Sequence, residues 1–328
     1  MAGHRDDLVI VPARTCRRTE RAASFAAIVD GADYFRHVKA AMLRARHRIM
    51  LIGWDFDTGI SLEPAGRTMP GPNQLGAFLH WMLWKRPHLE IFLLKSNLRL
   101  LPAFDDIWDG ITPVGLLNRL SSRRIEFAVD GAHPTGAVHH QKIVVVDDAI
   151  AFCGGIDLTV DRWDTCDHSD TNPVRKTGSR GYGPRHEVAA AVDGAAARAL
   201  GEVARNRWRT ATGRTLEPVE AAHKAWPRGL RPALRDVDVA IARTLPPLGE
   251  RPEVREIEAL NLAAIAAARH TIYLENQYLA ARSVAEAIAA RLREPDGPEV
   301  VVVLPRSSES RLEQESMDSA RALLMAEL

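Results

Sequence analysis

Cysteine is scarce in this chain. The three present, Cys16, Cys153 and Cys166, have neither metal-ligand spacing nor the even count of a disulfide framework. They are expected to be reduced thiols of a cytosolic protein, with Cys153 a core residue of an apolar strand. Long apolar runs are also missing. The VVVVLP segment near residue 300 is far too short to span a bilayer. The first residues, MAGHRDDLVIVPARTCRR, hold no extended apolar stretch of the secretory kind. There is no charge excess: the formal net charge is +1, which excludes strong bulk attraction to nucleic acid or anionic lipid and leaves only local patches to provide it. What remains is an ordinary globular composition, 46% hydrophobic and 26% charged over 328 residues, enough for one large or two ordinary domains.

The densest chemical information lies in residues 138–164, VHHQKIVVVDDAIAFCGGIDLTVDRWD. His140 and Lys142 stand two apart at the head of a β-branched run. Residues at i and i+2 of a strand share a face, so imidazole and ammonium are expected to point the same way. A nitrogen nucleophile beside a cation suits attack on a phosphodiester. Ile143 to Val146 read as a buried strand, Asp147 and Asp148 as the turn, and Ala149 to Cys153 as the returning strand. By parity Asp147 falls on the face away from His140, so it is expected to fix the turn by accepting backbone N–H bonds rather than to touch phosphate. His139 also faces away and reads as a supporting or core residue. Gly154 and Gly155 would let the backbone approach another group, plausibly a substrate phosphate. Asp157 would bond ligand or backbone. Arg162-Trp163-Asp164 reads equally as a functional turn or as a surface ion pair beside a packing tryptophan.

The chain also repeats itself. Ala45-Arg46-His47-Arg48-Ile49-Met50-Leu51 returns as Ala268-Arg269-His270-Thr271-Ile272-Tyr273-Leu274, each copy following a helical pattern, over residues 34–46 and 254–269. Each is followed by a further helix and strand, at 89–94 and 299–304. Strands alternating with helices predict an α/β sandwich in each copy. In the first copy about 45 residues separate its second strand from His140; the same interval would put a matching histidine at about position 345, so the second copy is expected to be cut short before its catalytic strand. Residues 210–222 read as a linker. Residues 167–184, polar and almost free of large apolar side chains, read as a surface loop placed to act as a lid. The CDHSD string at 166–170 has metal-like residue types, but a solvated loop is the preferred reading, and no metal site is expected.

The 138–164 segment resembles the HKD motif of the phospholipase D superfamily, HxKxxxxDxxxxxxGG, in its eukaryotic-type form. Gly53-Trp54-Asp55, His186-Glu187-Val188, Arg207-Trp208 and the IYLENQY string at 272–278 add to the resemblance, which runs from about residue 25 to 305. Two departures stand out: Arg185 and Glu187 occupy places where the family usually has Trp and Asp, and only one HKD motif is present. The resemblance implies two pseudo-symmetric α/β sandwich lobes: residues 1–210 as the first, carrying the motif, and 211–328 as a linker plus the start of an incomplete second. It implies a metal-free, cofactor-free phosphodiesterase or phosphatidyltransferase acting on glycerophospholipids at a membrane surface, by a protein that is cytoplasmic and peripheral to the membrane. His140 would be the nucleophile, Lys142 the phosphate partner, Asp147 the motif's third member and Glu187 the acid orienting the imidazole. Gly154, Gly155, Asp157, Asn276 and Gln277 would line the substrate site, the last two opposite His140. With one motif the chain would hold half an active site, completed by a second polypeptide or, less readily, by a second copy. A nuclease or cardiolipin-synthase-like transferase of the same superfamily and a non-catalytic half-protein are the competing readings. The charge balance argues against nucleic acid as a partner.

Overall fold

The computed structural model describes residues 9–97, 122–135, 137–220, 223–306, 321–322 and 324–325. Two compact units result. One comprises Glu20–Val239 with Pro246–Pro252; the other takes the described residues of Met1–Thr19, Ala240–Leu245 and Glu253–Leu328. The expected ends of helices and strands agree with the observed ones to within a few residues.

The first unit is built on a mixed eight-stranded sheet. Its strands are β1 (Arg18–Val29), β2 (Arg48–Gly53), β3 (Glu90–Ser96), β4 (Ile125–Asp130), β5 (Ile143–Val146), β6 (Ile150–Gly154), β9 (Val188–Asp193) and β10 (Leu234–Ile241). A small ribbon of β7 (Lys176–Thr177) and β8 (Arg180–Gly181) stands apart from it. The sheet order is β10-β1-β9-β6-β5-β2-β3-β4. The β2, β3 and β4 strands run parallel; β5 runs antiparallel to both β2 and β6.

The central strands β2, β3 and β5 are buried on both faces, which is why they read as continuous apolar runs. One face carries Ile49, Leu51, Leu93 and Val144 against Phe35 and Val38 of α1 (Gly31–Met42) and Phe78 and Leu79 of α2 (Leu75–Lys85). Each such side chain contributes about 1.5–3 kcal/mol on burial. The opposite face receives α3 (Gly194–Thr212), whose Trp208 sits edge-on to Phe92 at a ring separation of 5.0 Å. Gly213, at φ +74, ends α3 in the left-handed conformation that glycine adopts without strain.

Of the stretch read as a linker, the described residues 210–220 are not free of the first unit. The helix runs to Thr212, and beyond it the Val219 N–H donates to Asp148 and His223 Nε2 lies 3.1 Å from an Asp147 oxygen. The turn carboxylates draw this polar stretch back onto the motif.

The second unit contains β11 (Thr244–Leu245), β12 (Val254–Arg255), α4 (Glu256–Ala267), β13 (Thr271–Glu275), α5 (Arg282–Leu292) and β14 (Glu299–Val303). The β13 and β14 strands pair in parallel, as β2 and β3 do. His270 accepts the Glu299 N–H at 2.9 Å, while His47, at the matching position of the first unit, accepts the Glu90 N–H at 2.8 Å. Both units thus run helix, strand, helix, strand, with a parallel pair stitched at the same place. Among the described residues no helix is long and apolar enough to cross a membrane.

Candidate functional site

The hairpin of the motif forms as expected. Asp147 and Asp148 both take positive φ, 54° and 51°, and the Ala149 N–H closes the turn on Val146 O at 2.9 Å. Two such residues suit a right-twisted hairpin. The Asp147 carboxylate is structural, but it serves a different set of N–H groups from those of its own turn. It accepts the backbone N–H of Arg46 at 2.6 Å, of His47 at 2.8 Å and of Arg48 at 2.6 Å. It therefore clamps the start of β2 to the β5–β6 turn. Asp148 pairs with buried Arg205 on α3.

His140 and Lys142 do not lie on the strand. β5 begins at Ile143; the Gly154 N–H, donating to the Lys142 carbonyl at 3.4 Å, carries the β5–β6 register one residue further, and His140 lies beyond it. Lys142 is buried, with Nζ 3.2 Å from Asp157 Oδ2 and 3.4 Å from the His140 carbonyl. Asp157 is itself held by the Trp54 N–H at 3.0 Å. Gly53 makes this possible, because a Cβ there would stand 2.7 Å from Asp157 Oδ1. Burial lowers the Lys142 pKa and raises that of Asp157, and each partner's charge opposes the shift of the other. The lysine thus arrives at the site already paired. His140 is exposed, its ring 5.9 Å from that of Trp54.

His139 is a supporting residue. Its N–H donates to Ser96 Oγ, and its Nε2 lies 3.0 Å from Gln141 Oε1. Burial, aided by the Arg207 charge, pushes its pKa down to about 4, so the ring is neutral near pH 7.

Glu187 directly precedes β9. Its Oε2 is buried and accepts no hydrogen bond from the described residues, so this oxygen does not make the orienting contact expected with His140. Burial raises its pKa, against the opposing charges of Arg162 and Arg185.

The two glycines divide in role. A Cβ on Gly154 would stand 2.5 Å from Ala189 Cα and 2.6 Å from Val188 O, so this glycine lets β9 approach. Gly155 is exposed, and a Cβ there would meet nothing closer than Glu187 Oε1 at 3.9 Å. Asn276 and Gln277 follow β13 in the second unit, both exposed; the Asn276 N–H donates to Val303 O and its Oδ1 accepts the Gln277 N–H.

No family model matches the chain. It is 45% identical over 168 residues to phospholipase D zeta 2 of Arabidopsis thaliana, covering 48% of this chain and 15% of that protein. It is 30% identical over 136 residues to phospholipase D2 of Bos taurus, covering 42% and 14%. The chain thus spans about a seventh of the length of these curated relatives. Among solved structures, the phosphatidylserine synthase of Haemophilus influenzae Rd KW20 aligns with 94% of this chain and 68% of its own, at 12% identity and a TM-score of 0.52, a likeness of fold. The chain is thus similar to phospholipase D proteins over a little under half of its own length.

The Arg162-Trp163-Asp164 turn is no surface ion pair. Trp163 joins the core, and fully buried Asp164 binds Arg175 Nη1 at 2.9 Å and the Arg185 N–H at 2.8 Å. The 167–184 loop is correspondingly tied down, since Arg175 is buried and donates to the carbonyls of Ser169, Asp170 and Tyr182. The solvated reading of CDHSD fails for His168. Its Nδ1 lies 3.1 Å from Asp164 Oδ2, and its Nε2 lies 3.4 Å from Asp30 Oδ2. Asp30 was not anticipated. The one sequence signal for it was the Asp30-Gly31 dipeptide between a strand and a helix, and its partners His168 and His186 lie more than a hundred residues away.

Proposed function

We propose that this chain carries the nucleophile of a phospholipase D-type phosphodiesterase or phosphatidyltransferase acting on glycerophospholipids at a membrane surface. The supporting observation is an exposed His140 immediately beside a buried Lys142–Asp157 pair. In the reaction, a ring nitrogen of His140 attacks phosphorus in line and an alcohol departs, leaving a phosphohistidine. Water or a second alcohol then attacks that phosphorus and releases the imidazole. Lys142, held by Asp157, directs its ammonium at the non-bridging oxygens as charge develops there. Glu187, whose buried Oε2 accepts no hydrogen bond from the described residues, orients the imidazole once substrate draws the site together. The leaving alcohol takes its proton from a second histidine. Residues 1–328 hold one HxKxxxxD string, so that histidine lies outside them. Without it turnover falls by about 10²–10⁴-fold.

The test is to mix the full chain with vesicles of headgroup-labelled and phosphate-labelled phosphatidylcholine, with and without ethanol, and with single-stranded DNA in a parallel arm. Label retained on the protein after alkaline denaturation, and lost in His140→Ala, is the expected result. Label retained in His140→Ala would overturn the assignment of the nucleophile. Reaction with DNA alone would favour a nuclease, and no capture from either substrate would favour a non-catalytic role.

A further inference from the structure

Asp30, His168 and His186 converge at the junction of β1 and α1. Each offers one ligand atom, and these atoms all lie within 4.8 Å of one another. Asp30 Oδ1 is 2.9 Å from His186 Nδ1, and Asp30 Oδ2 is 3.4 Å from His168 Nε2. Nitrogens and oxygens bound at about 2.0–2.2 Å to one tetrahedral ion stand a little over 3 Å apart, so the set needs only small side-chain movements to close on a cation.

Two further observations point to a ligand. Asp30 is 1% exposed, yet its Oδ2 accepts no hydrogen bond from the described residues, and this oxygen faces the cluster, 3.4 Å from His168 Nε2. Asp30 occupies the N-cap position of α1, where an aspartate ordinarily caps the helix, but its side chain makes no capping bond. Independently, His168 places its other ring nitrogen, Nδ1, against Asp164 Oδ2 at 3.1 Å. Asp164 is in turn fixed by Arg175 and by the N–H groups of Thr165 and Arg185. A carboxylate that holds the far nitrogen of a histidine sets its tautomer and directs the near nitrogen's lone pair at a metal.

We propose that Asp30, His168 and His186 bind one divalent transition-metal ion, zinc being the best match to two imidazoles and a carboxylate, with a fourth position open. The ion clasps the 165–185 loop to the β1–α1 junction, one residue before Glu187. Its role is to position that segment; it takes no part in phosphoryl transfer by His140.

The experiment uses the full chain without a histidine tag. Zinc is titrated by equilibrium dialysis with elemental analysis, and cobalt(II) absorption reports coordination geometry. One equivalent should bind, with tetrahedral cobalt bands. His168→Ala and His186→Ala should each weaken binding more than tenfold, while the exposed-histidine control His88→Ala should not. No stoichiometric binding, or binding indifferent to both site variants, would overturn the proposal and leave a histidine–aspartate hydrogen-bond network. Should either variant fail to fold, diethylpyrocarbonate footprinting of the unmutated chain decides. Zinc should protect His168 and His186 and leave His88 reactive; equal modification with and without zinc would refute the site.

Discussion

Replacing Asp147 by asparagine separates a structural role from a chemical one. The residue sits at φ +54, a conformation that asparagine tolerates about as well as aspartate, so the backbone term cancels. Asp147 Oδ1 accepts two N–H groups and Oδ2 a third. Asparagine keeps one acceptor oxygen. Wherever it points, an NH2 faces a main-chain donor, and at least one part-buried N–H is orphaned. Hydrogen bonds to a charged acceptor contribute about 1.5–3 kcal/mol each, and an unsatisfied buried donor costs about 1–3 kcal/mol. Losing one such bond and weakening two others predicts a destabilisation of about 3–5 kcal/mol. Urea denaturation followed by tryptophan fluorescence reads this as a lower midpoint at unchanged slope. A loss under about 1 kcal/mol, together with abolished phosphoenzyme capture, would refute the clamp and return Asp147 to the chemistry.

Three further outcomes follow from the geometry. Gly154→Ala should cost about 1–3 kcal/mol by forcing β6 away from β9, whereas Gly155→Ala should leave the midpoint nearly unchanged; equal effects would contradict the packing role assigned to Gly154. Glu187→Gln should stabilise the fold at neutral pH. Because burial raises the Glu187 pKa, the acid favours folding only below its ordinary value of 4.5 and loses that contribution as pH rises through the folded value, so the gain from glutamine should vanish below 4.5. Melting curves at both ends of that window decide it, and a gain present only in acid would contradict the sign. Arg207→Ala strands buried Asp130 without its guanidinium partner and should lower stability by about 3–5 kcal/mol, measured by the same urea titration; a change under 1 kcal/mol would mean that the Asp130 charge finds another partner.

The hairpin could be read from sequence because it is local. Four β-branched or apolar residues, two aspartates and a returning apolar run leave few alternatives to strands at 143–146 and 149–153, the second of which is observed one residue further on, at Ile150–Gly154. The helix–strand pairs were legible for the same reason, through periodicity and repetition. The errors fall where partners are remote. No spacing rule connects Asp147 to the N–H groups of residues 46–48, or Lys142 to the Asp157 that Trp54 holds. The loop read as solvated carries Arg175, which composition counts as polar and which three-dimensional pairing buries beside Asp164. The glycine pair suggested substrate access at both positions; that the approach of β9 also requires Gly154 could not be read from the sequence, because β9 lies more than thirty residues on.

These remote contacts converge on β2. Asp147 grips the N–H groups at its first residues, and Asp157, ten positions further along the chain, grips the N–H of Trp54 just past its last. The two acids flank the β6 strand in sequence and bracket β2 in space. β2 also pairs with β5 from Ile49↔Val146 to Ile52↔Ile143. The end of β5 that enters from Lys142 is therefore held in register with the end of β2 that leads to Trp54. One strand sets the position of the residue that buries and pairs the lysine and of the ring beside His140. The motif's third letter then acts at a distance. It fixes where β2 begins, and the length of β2 carries that placement to the site.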